Sequence, residues 1–374
     1  MQRMAKVLKK PLTSTIIAIV CGFIVAMIIL ACAGYNPFQA MASLFGGMLG
    51  SPKYISNVII KSVPLIMTGV AIAFAFKTGL FNIGAEGQYI AGTVAAVIVG
   101  CNFDFAPVIE IPMVILAGML AGAVVGGLVG YLKAKFGIHE VITSIMLNWI
   151  MLYLCNYVSN SSSLAMPDSS SSYPVNVSSY ITLLPEWKMS DQGMEFLKNH
   201  EFLGSILATD VNFGILIAIA VAIGVSFLLY RTTKGYEYRA VGLSKDAAEF
   251  AGINVRQSIF QTMLISGAIC GLAGALVITG VYPHSTSVLG VFENNGFNGI
   301  GVALIAGASP IGCIFSGLLF GGLLYGGQAI QFDIGAPSDI VNIMIGVIIF
   351  FVALTKVVPI LAEKLEKRGK KHDE

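Results

Sequence analysis

Long apolar segments recur along the whole sequence and constrain the fold more than any other feature. About 20 apolar residues in a helix cross the hydrocarbon core of a bilayer. Only 11% of the residues are charged, against roughly 25% in a soluble domain, and a lipid-facing surface needs no charge. We therefore expect an all-α, polytopic membrane protein with about ten transmembrane helices. The predicted spans are 12–33, 54–76, 82–100, 108–131, 139–158, 211–230, 257–281, 297–308, 310–330 and 339–356.

Lysine and arginine in short loops predict the orientation. They concentrate near the N-terminus, around Lys133, between the sixth and seventh spans, and in the tail. With ten spans these four segments share one side of the membrane, which the positive-inside rule assigns to the cytoplasm. The predicted organisation comprises a cytoplasmic N-terminus (1–11), a transmembrane domain (12–356) with a cytoplasmic loop (231–256), and a cytoplasmic tail (357–374).

The longest loop, 159–210, falls outside under this topology and is acidic, with six acids against two lysines. It contains Asp168 followed by four serines, a polar stretch that cannot bury a core by itself. Residues 193–208 are predicted to form a short amphipathic helix. The loop is either a solvated connector or a docking surface for an external partner.

Glycine recurs at every fourth position in the fourth span, so one helix face lacks side chains and another helix can approach closely. Two later spans repeat the device. The glycines concerned are Gly118, Gly122, Gly126 and Gly130, then Gly267 with Gly271, and Gly317 with Gly321.

Two apolar runs are interrupted by related motifs. Gly79-Leu-Phe-Asn-Ile-Gly84 separates the second and third spans, and Phe297-Asn-Gly-Ile-Gly301 follows the break between the seventh and eighth. Matched interruptions in two halves of a transporter predict broken helices along the transport path. Span parity places the motifs on opposite sides of the membrane, so 54–158 and 257–356 are predicted to form an inverted repeat.

Glu86 stands at the start of the third span, where an unpartnered carboxylate would cost several kcal/mol. It either caps that helix at the positive end of its dipole or contacts a solute. Amides and rings nearby suit a neutral heterocycle, although an interhelical hydrogen bond is the commoner role of such an asparagine. The predicted path residues are Phe81, Asn82, Glu86, Gln88, Asn148, Trp149, Phe297 and Asn298.

The loop between the sixth and seventh spans contains a predicted short amphipathic helix. Ser244 can cap it, Asp246 suits its first turn, and Gly252 can end it. Such a helix at the membrane face suits a groove in another protein. The sequence contains no Gly-x-x-x-x-Gly-Lys-Ser/Thr motif with which to cradle ATP phosphates.

Two stretches resemble a known family. Gly79-Leu-Phe-Asn-Ile-Gly-Ala-Glu-Gly-Gln88, and the loop from Tyr238-Arg-Ala-Val-Gly-Leu-Ser to Ala251-Gly-Ile-Asn254, resemble the branched-chain amino acid and simple-sugar permease superfamily of ABC importers. Within it the chain is most similar to bacterial nucleoside permeases of the guanosine type that work with a BMP-family lipoprotein. The Gly-Gly-Ile-Asp-Leu-Ser motif of ribose-type permeases is absent.

The resemblance implies a type II-like ABC importer permease in the bacterial plasma membrane. It also implies three partners: a double ATPase that binds ATP and magnesium, a second permease chain that is often non-identical, and a substrate-delivering lipoprotein. Asp246-Ala-Ala-x-x-x-Gly252 resembles the ATPase-contacting Glu-Ala-Ala-x-x-x-Gly loop, with Asp in place of Glu. The implied coupling residues are Arg239, Gly242, Asp246, Ala247, Ala248 and Gly252.

Three other functions remain as alternatives: an ABC permease for a simple sugar, an ion-coupled transporter in which Glu86 binds a proton or cation, and a membrane enzyme. Few other acids lie within the spans to form a relay. The four histidines are scattered, and no His-Glu-x-x-His or Gly-x-Ser-x-Gly motif occurs. The six cysteines show no metal-ligand spacing. We therefore expect a transport subunit with no metal site, no cofactor and no catalytic residues of its own.

Overall fold

The computed structural model describes residues 11–354 of the chain. The segments predicted to be cytoplasmic at the two ends, 1–11 and 357–374, lie outside this range except for Pro11, as does the end of the tenth predicted span. The described residues are almost entirely helical or looped, with only isolated β-bridges in the loops.

Ten long or apolar helices coincide with the ten predicted spans and differ from them by a few residues at their ends. The ten are α1 (Pro11–Cys32), α3 (Pro52–Lys77), α4 (Ala85–Asn102), α5 (Pro107–Phe136), α6 (Glu140–Ser159), α10 (Gly214–Arg231), α13 (Val255–Gly280), α14 (Asn295–Ile305), α15 (Gly312–Ile334) and α16 (Ser338–Ala353). Six of them, α3, α5, α6, α10, α13 and α15, are long and apolar enough to cross a membrane, and α14, α16 and part of α1 are shorter apolar segments.

An additional helix, α2 (Pro37–Leu49), was not predicted. Asn36 starts it, since its side-chain oxygen accepts hydrogen bonds from the backbone of Phe38 at 3.1 Å and Gln39 at 3.4 Å, and Pro37 occupies the first turn. The helix is too short to cross a bilayer. Its length therefore gives no signal of a membrane span in the sequence.

The chain divides into two compact units. One contains the residues up to 54 and those from 322 onward, and within it α1 packs against α16 and α2. The other contains residues 55–321, in which α13 packs most extensively against α5, and α4 packs against both. Most of the apolar surface of α3 and α13 is buried in the protein, whereas α10 is largely exposed.

The glycine faces of α5 and α13 pack against each other, as close-packing glycines do in membrane helices. A Cβ placed on Gly122 would lie 2.3 Å from the carbonyl oxygen of Gly267, and one on Gly271 would lie 2.2 Å from that of Gly118. Only glycine permits this approach of the two backbones. The predicted packing role of these glycines is confirmed.

The predicted outer loop is more ordered than a solvated connector. Its first half buries Leu164, Val175 and Ile181, and its backbone is hydrogen-bonded to the segment 281–294. The backbone N–H of Ser172, for instance, donates to Thr286 at 2.8 Å. Apolar residues spaced among the serines therefore anchor this half to the protein, and the choice between a connector and a docking surface stays open.

The second half of the loop is helical, as predicted for 193–208, but in three pieces. The backbone at His200 leaves the helical conformation, so this residue ends one helix and precedes the next. The pieces are α7 (Pro185–Met189), α8 (Asp191–Asn199) and α9 (Glu201–Leu207).

Candidate functional site

The first interrupted segment, residues 78–84, begins where α3 ends at a glycine. Gly79 has φ +73°, a left-handed conformation that glycine adopts without strain. The backbone N–H of Gly79 donates to Phe76, and that of Leu80 donates to Ala75, at 3.1 and 3.0 Å. This pair of hydrogen bonds is the Schellman arrangement, which terminates a helix and satisfies its last carbonyls.

Asn82 and Gln88 form a reciprocal amide pair in the interior. Asn82 Nδ2 donates to Gln88 Oε1 at 2.8 Å, and Gln88 Nε2 donates to Asn82 Oδ1 at 3.1 Å. Asn82 Nδ2 also donates to Ser266 Oγ on α13 at 2.8 Å. Both amides are fully buried, so the pair fixes the segment to the start of α4 and to α13.

Glu86 is fully buried and joins the two broken helices. Its Oε1 accepts from the backbone N–H of Asn294 at 2.8 Å, and its Oε2 accepts from those of Gly296 at 2.6 Å and Phe297 at 3.3 Å. The carboxylate, which lies in the first turn of α4, therefore caps the N-terminus of α14. The prediction that it caps its own helix is wrong, because the free donors of a distant helix lie closer to its oxygens.

The two helices start at one point because Gly296 carries no side chain. A Cβ there would lie 2.2 Å from the backbone nitrogen of Glu86. Both oxygens of Glu86 are already engaged by backbone donors. Three of the acceptor sites of the carboxylate are thus used by backbone donors within the protein, and the ion-coupled alternative gains no support from this arrangement. We call the contact between Glu86 and residues 294–297 the helix junction.

The two interruptions approach the helix junction from opposite loop regions. Gly79 packs against Gly242, in the segment predicted to be cytoplasmic, where a Cβ on Gly79 would lie 3.2 Å from Gly242 Cα. The segment preceding α14 is hydrogen-bonded to the predicted outer loop, with the backbone N–H of Val288 donating to Ser170 at 2.8 Å. This arrangement agrees with the predicted opposite placement of the motifs. The inverted repeat itself stays a prediction.

Asn148 on α6 holds the backbone at Ile83 and Gly87, around the start of α4. Its Oδ1 accepts from the backbone N–H of Gly87 at 2.8 Å, and its Nδ2 donates to the carbonyl of Ile83 at 3.1 Å. Both ends of the amide are thus used in interhelical hydrogen bonds. This is the commoner of the two roles considered for this asparagine.

The remaining predicted path residues lie around the helix junction in different environments. Phe81 stacks on Phe76 with ring centroids 5.5 Å apart. Trp149 is 44% exposed and meets Phe292 edge-to-face at 4.8 Å. Phe297 meets the other side of Phe292 at 5.5 Å, and Asn298 follows it, half-buried, in the first turn of α14.

Sequence reasoning missed several polar contributors. Ser266 receives the Asn82 amide, and Glu140 Oε1 accepts weakly from the backbone N–H of Phe81 at 3.5 Å. Lys133 pairs with the other oxygen of Glu140. The Ser144 hydroxyl is buried beside Gly84 without a hydrogen-bond partner among the described residues. Only Glu140, a carboxylate at the start of a predicted span, carried a sequence signal comparable to that of Glu86.

The predicted coupling residues lie on a helical hairpin, not on a single helix. Thr232 caps the first helix, α11 (Thr233–Leu243), and Ser244 caps the second, α12 (Lys245–Phe250), by accepting from the backbone N–H of Ala247 at 3.3 Å. Gly252, with φ +82°, follows the end of α12. The predicted start and end of this helix are confirmed. We call residues 233–252 the hairpin.

The hairpin is anchored through α11, where Tyr238 and Val241 are buried, and it exposes apolar side chains elsewhere. Ala248 is its one buried residue on α12, whereas Leu243 and Phe250 are 90% and 94% exposed. Gly242 lies so close to the end of α3 that a Cβ would be 2.2 Å from the carbonyl oxygen of Lys77. The remaining coupling residues are Arg239, which lies over the ring of Tyr230 at 5.3 Å, and Asp246 and Ala247, which are exposed on the first turn of α12.

No group of three or more His, Cys, Asp or Glu side chains within residues 11–354 is placed to hold a metal ion. The chemistry that the described residues offer is therefore hydrogen bonding and aromatic stacking around the helix junction, together with an exposed apolar hairpin.

Comparison with known proteins gives consistent matches. The family model described as "Branched-chain amino acid transport system / permease component" matches residues 54–353. The guanosine ABC transporter permease protein NupP of Bacillus subtilis is 36% identical over 354 residues, covering 95% of this chain and 96% of that protein. The nucleoside ABC transporter permease protein NupB of Lactococcus lactis subsp. cremoris is 34% identical, covering 93% and 92%. A glucose ABC transporter permease protein of Haloferax volcanii is 28% identical, covering 90% and 85%.

Proposed function

The chain belongs to the branched-chain amino acid transport system permease family, and from this we propose that it is the permease subunit of an ABC importer that carries nucleosides across the bacterial plasma membrane. The observation that carries the substrate class is the identity of more than a third, over almost the whole chain, to a guanosine permease. ATP is bound and hydrolysed by a separate subunit, and this chain supplies the membrane path.

The hairpin supports the ATPase as a partner. Leu243 and Phe250 are large apolar side chains left almost wholly exposed on the hairpin. Exposed apolar anchors on a short helix suit a groove in a second protein. We assign that groove to the ATPase because the sequence from Asp246 to Gly252 resembles the ATPase-contacting loop of ABC permeases, with Asp in place of Glu.

The helix junction supports the membrane path. Two helices that begin inside the protein leave polar backbone and amide groups in its interior, which membrane proteins tolerate where the groups are buried or line a cavity. The helix junction is positioned by the side chains of Phe81, Asn82, Gln88 and Asn148. It is bordered by Trp149, Phe297 and Asn298.

The proposed assembly has four kinds of component. The hairpin and both termini face the cytoplasm, where the double ATPase binds, and residues 159–210 face the outside, where the lipoprotein delivers the nucleoside. A second permease chain, not identical to this one, completes the path. The loop's six acids against two lysines favour a partner with a basic surface on that side.

Uptake in reconstituted vesicles tests the proposal. We expect uptake of labelled guanosine to require ATP. Uptake should cease when the ATPase loses its Walker lysine and should survive collapse of the proton gradient. Uptake by the permease chain alone, driven by an ion gradient, would overturn the proposal.

The docking role of the hairpin is tested with a matched pair of glycines. Gly252 and Gly137 both follow a helix end with positive φ (+82° and +70°), and a Cβ added to either would have no neighbouring atom within 4 Å. A lysine at either position adds the same backbone strain, of about 1–2 kcal/mol. We expect Gly252→Lys to abolish ATP-driven uptake and ATPase co-purification and Gly137→Lys to preserve both. Equal uptake in the two variants would show that the hairpin is not the docking element.

A simple sugar is the second candidate substrate, because a glucose permease is among the relatives. Competition for uptake by unlabelled solutes distinguishes a nucleoside permease from a sugar permease. An excess of unlabelled guanosine or uridine is expected to block uptake, and ribose or glucose to leave it unchanged. Inhibition by the free sugars alone would favour the sugar permease.

A further inference from the structure

Three aromatic rings form a contiguous cluster beside the helix junction, in which neighbouring rings meet edge-to-face. Trp149 and Phe292 meet with ring centroids 4.8 Å apart, and Phe292 and Phe297 meet at 5.5 Å. Tyr153 extends the row from α6, stacked on Trp149 at 6.1 Å. Each of the first three rings is partly exposed. We call Trp149, Phe292 and Phe297 the aromatic shelf.

A carboxylate is fixed at the edge of the aromatic shelf. Asn295 Nδ2 donates to Glu293 Oε2 at 3.2 Å and to the hydroxyl of Tyr89 at 3.0 Å. Tyr89 is fully buried, whereas Glu293 is exposed. The buried tyrosine therefore anchors the asparagine, and the asparagine orients an acceptor that remains open to a ligand.

The helix junction removes the feature that would attract a phosphate. The N-terminus of a helix binds anions through its free N–H groups and its dipole. At α14 the N–H groups of Asn294, Gly296 and Phe297 are already bonded to Glu86. Glu293 adds a second carboxylate close by, which repels an anion.

Together these features match one class of solute. An aromatic face stacks on a nucleobase, and a carboxylate accepts hydrogen bonds from ribose hydroxyls or from base N–H groups. A phosphorylated nucleotide finds the N–H groups of Asn294, Gly296 and Phe297 bonded to Glu86 and meets two carboxylates.

On the basis of the proposed function, we propose that the aromatic shelf with Glu293 at its edge is a binding subsite for the neutral nucleoside, and that Glu86 and Glu293 make it reject nucleotides. The shelf stacks on the base, and Glu293 accepts a hydrogen bond from the nucleoside. Glu86 occupies backbone N–H groups that would otherwise bind a phosphate.

Uptake kinetics in the assembled importer test the shelf. Loss of one stacking ring is expected to raise the KM for guanosine roughly tenfold, so Trp149→Leu and Phe292→Leu should show this increase, and Trp149→Phe should restore most of the affinity. Tyr157→Leu is the matched control, since Tyr157 lies two turns farther along α6 and is 75% exposed. Its KM should stay within about twofold of wild type. A lipid-facing role predicts instead that the KM of Trp149→Leu and Phe292→Leu is unchanged, which would overturn the proposal.

Competition with guanosine monophosphate tests the rejection of nucleotides. Wild-type uptake should be insensitive to it, whereas in Glu293→Gln it should become an inhibitor, with a concentration for half-inhibition at least about tenfold lower than for wild type. Unchanged insensitivity in Glu293→Gln would show that this carboxylate does not exclude anions.

Direct binding gives a readout independent of transport. The chain contains two tryptophans, Trp149 and Trp187. Trp187→Phe leaves Trp149 as the sole tryptophan of this chain, and its fluorescence, excited at a wavelength the base does not absorb, should be quenched by nucleoside in a saturable way. Absence of quenching in a permease that transports nucleoside would refute the shelf and leave the proposed function standing. Absence of nucleoside uptake by wild-type importer would refute the proposed function itself.

Discussion

Glu86 is the residue on which the two broken helices depend. Three backbone N–H groups are bonded to its two oxygens in a fully buried site. Hydrogen bonds to charged groups contribute about 1.5–3 kcal/mol each, and an unsatisfied buried donor costs a further 1–3 kcal/mol or so.

We therefore expect Glu86→Gln to lower the free energy of unfolding by about 2–4 kcal/mol, since the amide NH₂ group faces backbone donors that it cannot accept from. Thermal unfolding in detergent would measure the loss, with Glu195→Gln, on the exposed surface of α8, as the unaffected control. Intact stability combined with lost transport would instead assign Glu86 to solute contact.

His284, in the segment 281–294, is expected to make the stability of the chain depend on pH. Burial is the largest cause that places the pKa of His284 below its ordinary value of 6.5. The ring stacks on Tyr180 at 3.8 Å, and Nδ1 is hydrogen-bonded to the carbonyl of Ile278 at 2.8 Å. The unfolded chain, with the higher pKa, binds a proton first as the pH falls, so protonation favours unfolding.

Stability of the wild-type chain is therefore expected to decline as the pH falls through about 6.5 towards the lower pKa of the folded state, and to be recovered above that window. His284→Phe retains a ring for stacking and cannot be protonated. The Tm of the wild-type protein minus the Tm of His284→Phe, measured from about pH 7.5 to about 5.5, should decrease as the pH falls. A constant difference would mean that His284 does not titrate in this range.

For single residues, the sequence predicted which side chains matter better than it predicted their hydrogen-bond partners. Glu86 and Asn148 stood out because carboxylates and amides are expensive in a membrane. Their actual partners, Asn294 to Phe297 and the backbone of Ile83 and Gly87, lie on other elements. A single sequence contains no signal that pairs positions 208 residues apart.

Helix packing in the larger unit depends on the paired glycine faces of α5 and α13. Gly122→Ala would place a Cβ 2.3 Å from the Gly267 carbonyl oxygen, so the helices would have to separate. Overpacking of this kind costs about 1–3 kcal/mol. The expected result is a lower Tm in detergent.

Gly224→Ala provides the comparison, because Gly224 lies on α10 with nothing within 4 Å of the added Cβ. This variant should equal or slightly exceed wild-type stability, since alanine favours a helix by up to about 1 kcal/mol over glycine. Similar losses in both variants would mean that the close approach of α5 and α13 is not what stabilises the unit.

Elements followed from the sequence wherever length and hydropathy decided them. Six of the ten predicted spans coincide with helices long and apolar enough to cross a membrane, because a bilayer imposes a minimum apolar length. Within the described residues, the helices at the other four, such as the 11-residue α14, do not give that signal by themselves. The helices α2 and α11 were not predicted, because neither is long enough to give that signal and α11 alternates polar and apolar residues. The cap at Ser244 and the stop at Gly252 were found because capping is local chemistry.

At the scale of the molecule, residues 77–88 connect the hairpin to the helix junction within one compact unit. Gly242 of the hairpin abuts the carbonyl of Lys77, the amide of Asn82 is tied to α13, and Glu86 holds α14. Each step is a close packing or a buried hydrogen bond, which transmits displacement because packed interiors are nearly incompressible. If the proposed ATPase moves the hairpin, we expect the displacement to reach the start of both broken helices.

Gly242→Val tests this connection. A side chain at that position would clash with the Lys77 carbonyl, 2.2 Å from the added Cβ, and the hairpin would have to move away from the end of α3. Because Leu243 and Phe250 would remain exposed for docking, we expect the ATPase to co-purify normally and hydrolyse ATP, while nucleoside uptake per ATP falls at least about tenfold. Gly137→Val, at an open helix end, should leave the ratio of uptake to hydrolysis unchanged. If Gly242→Val also leaves that ratio unchanged, the power stroke reaches the helix junction by another route, and α3 serves only as a support for the hairpin.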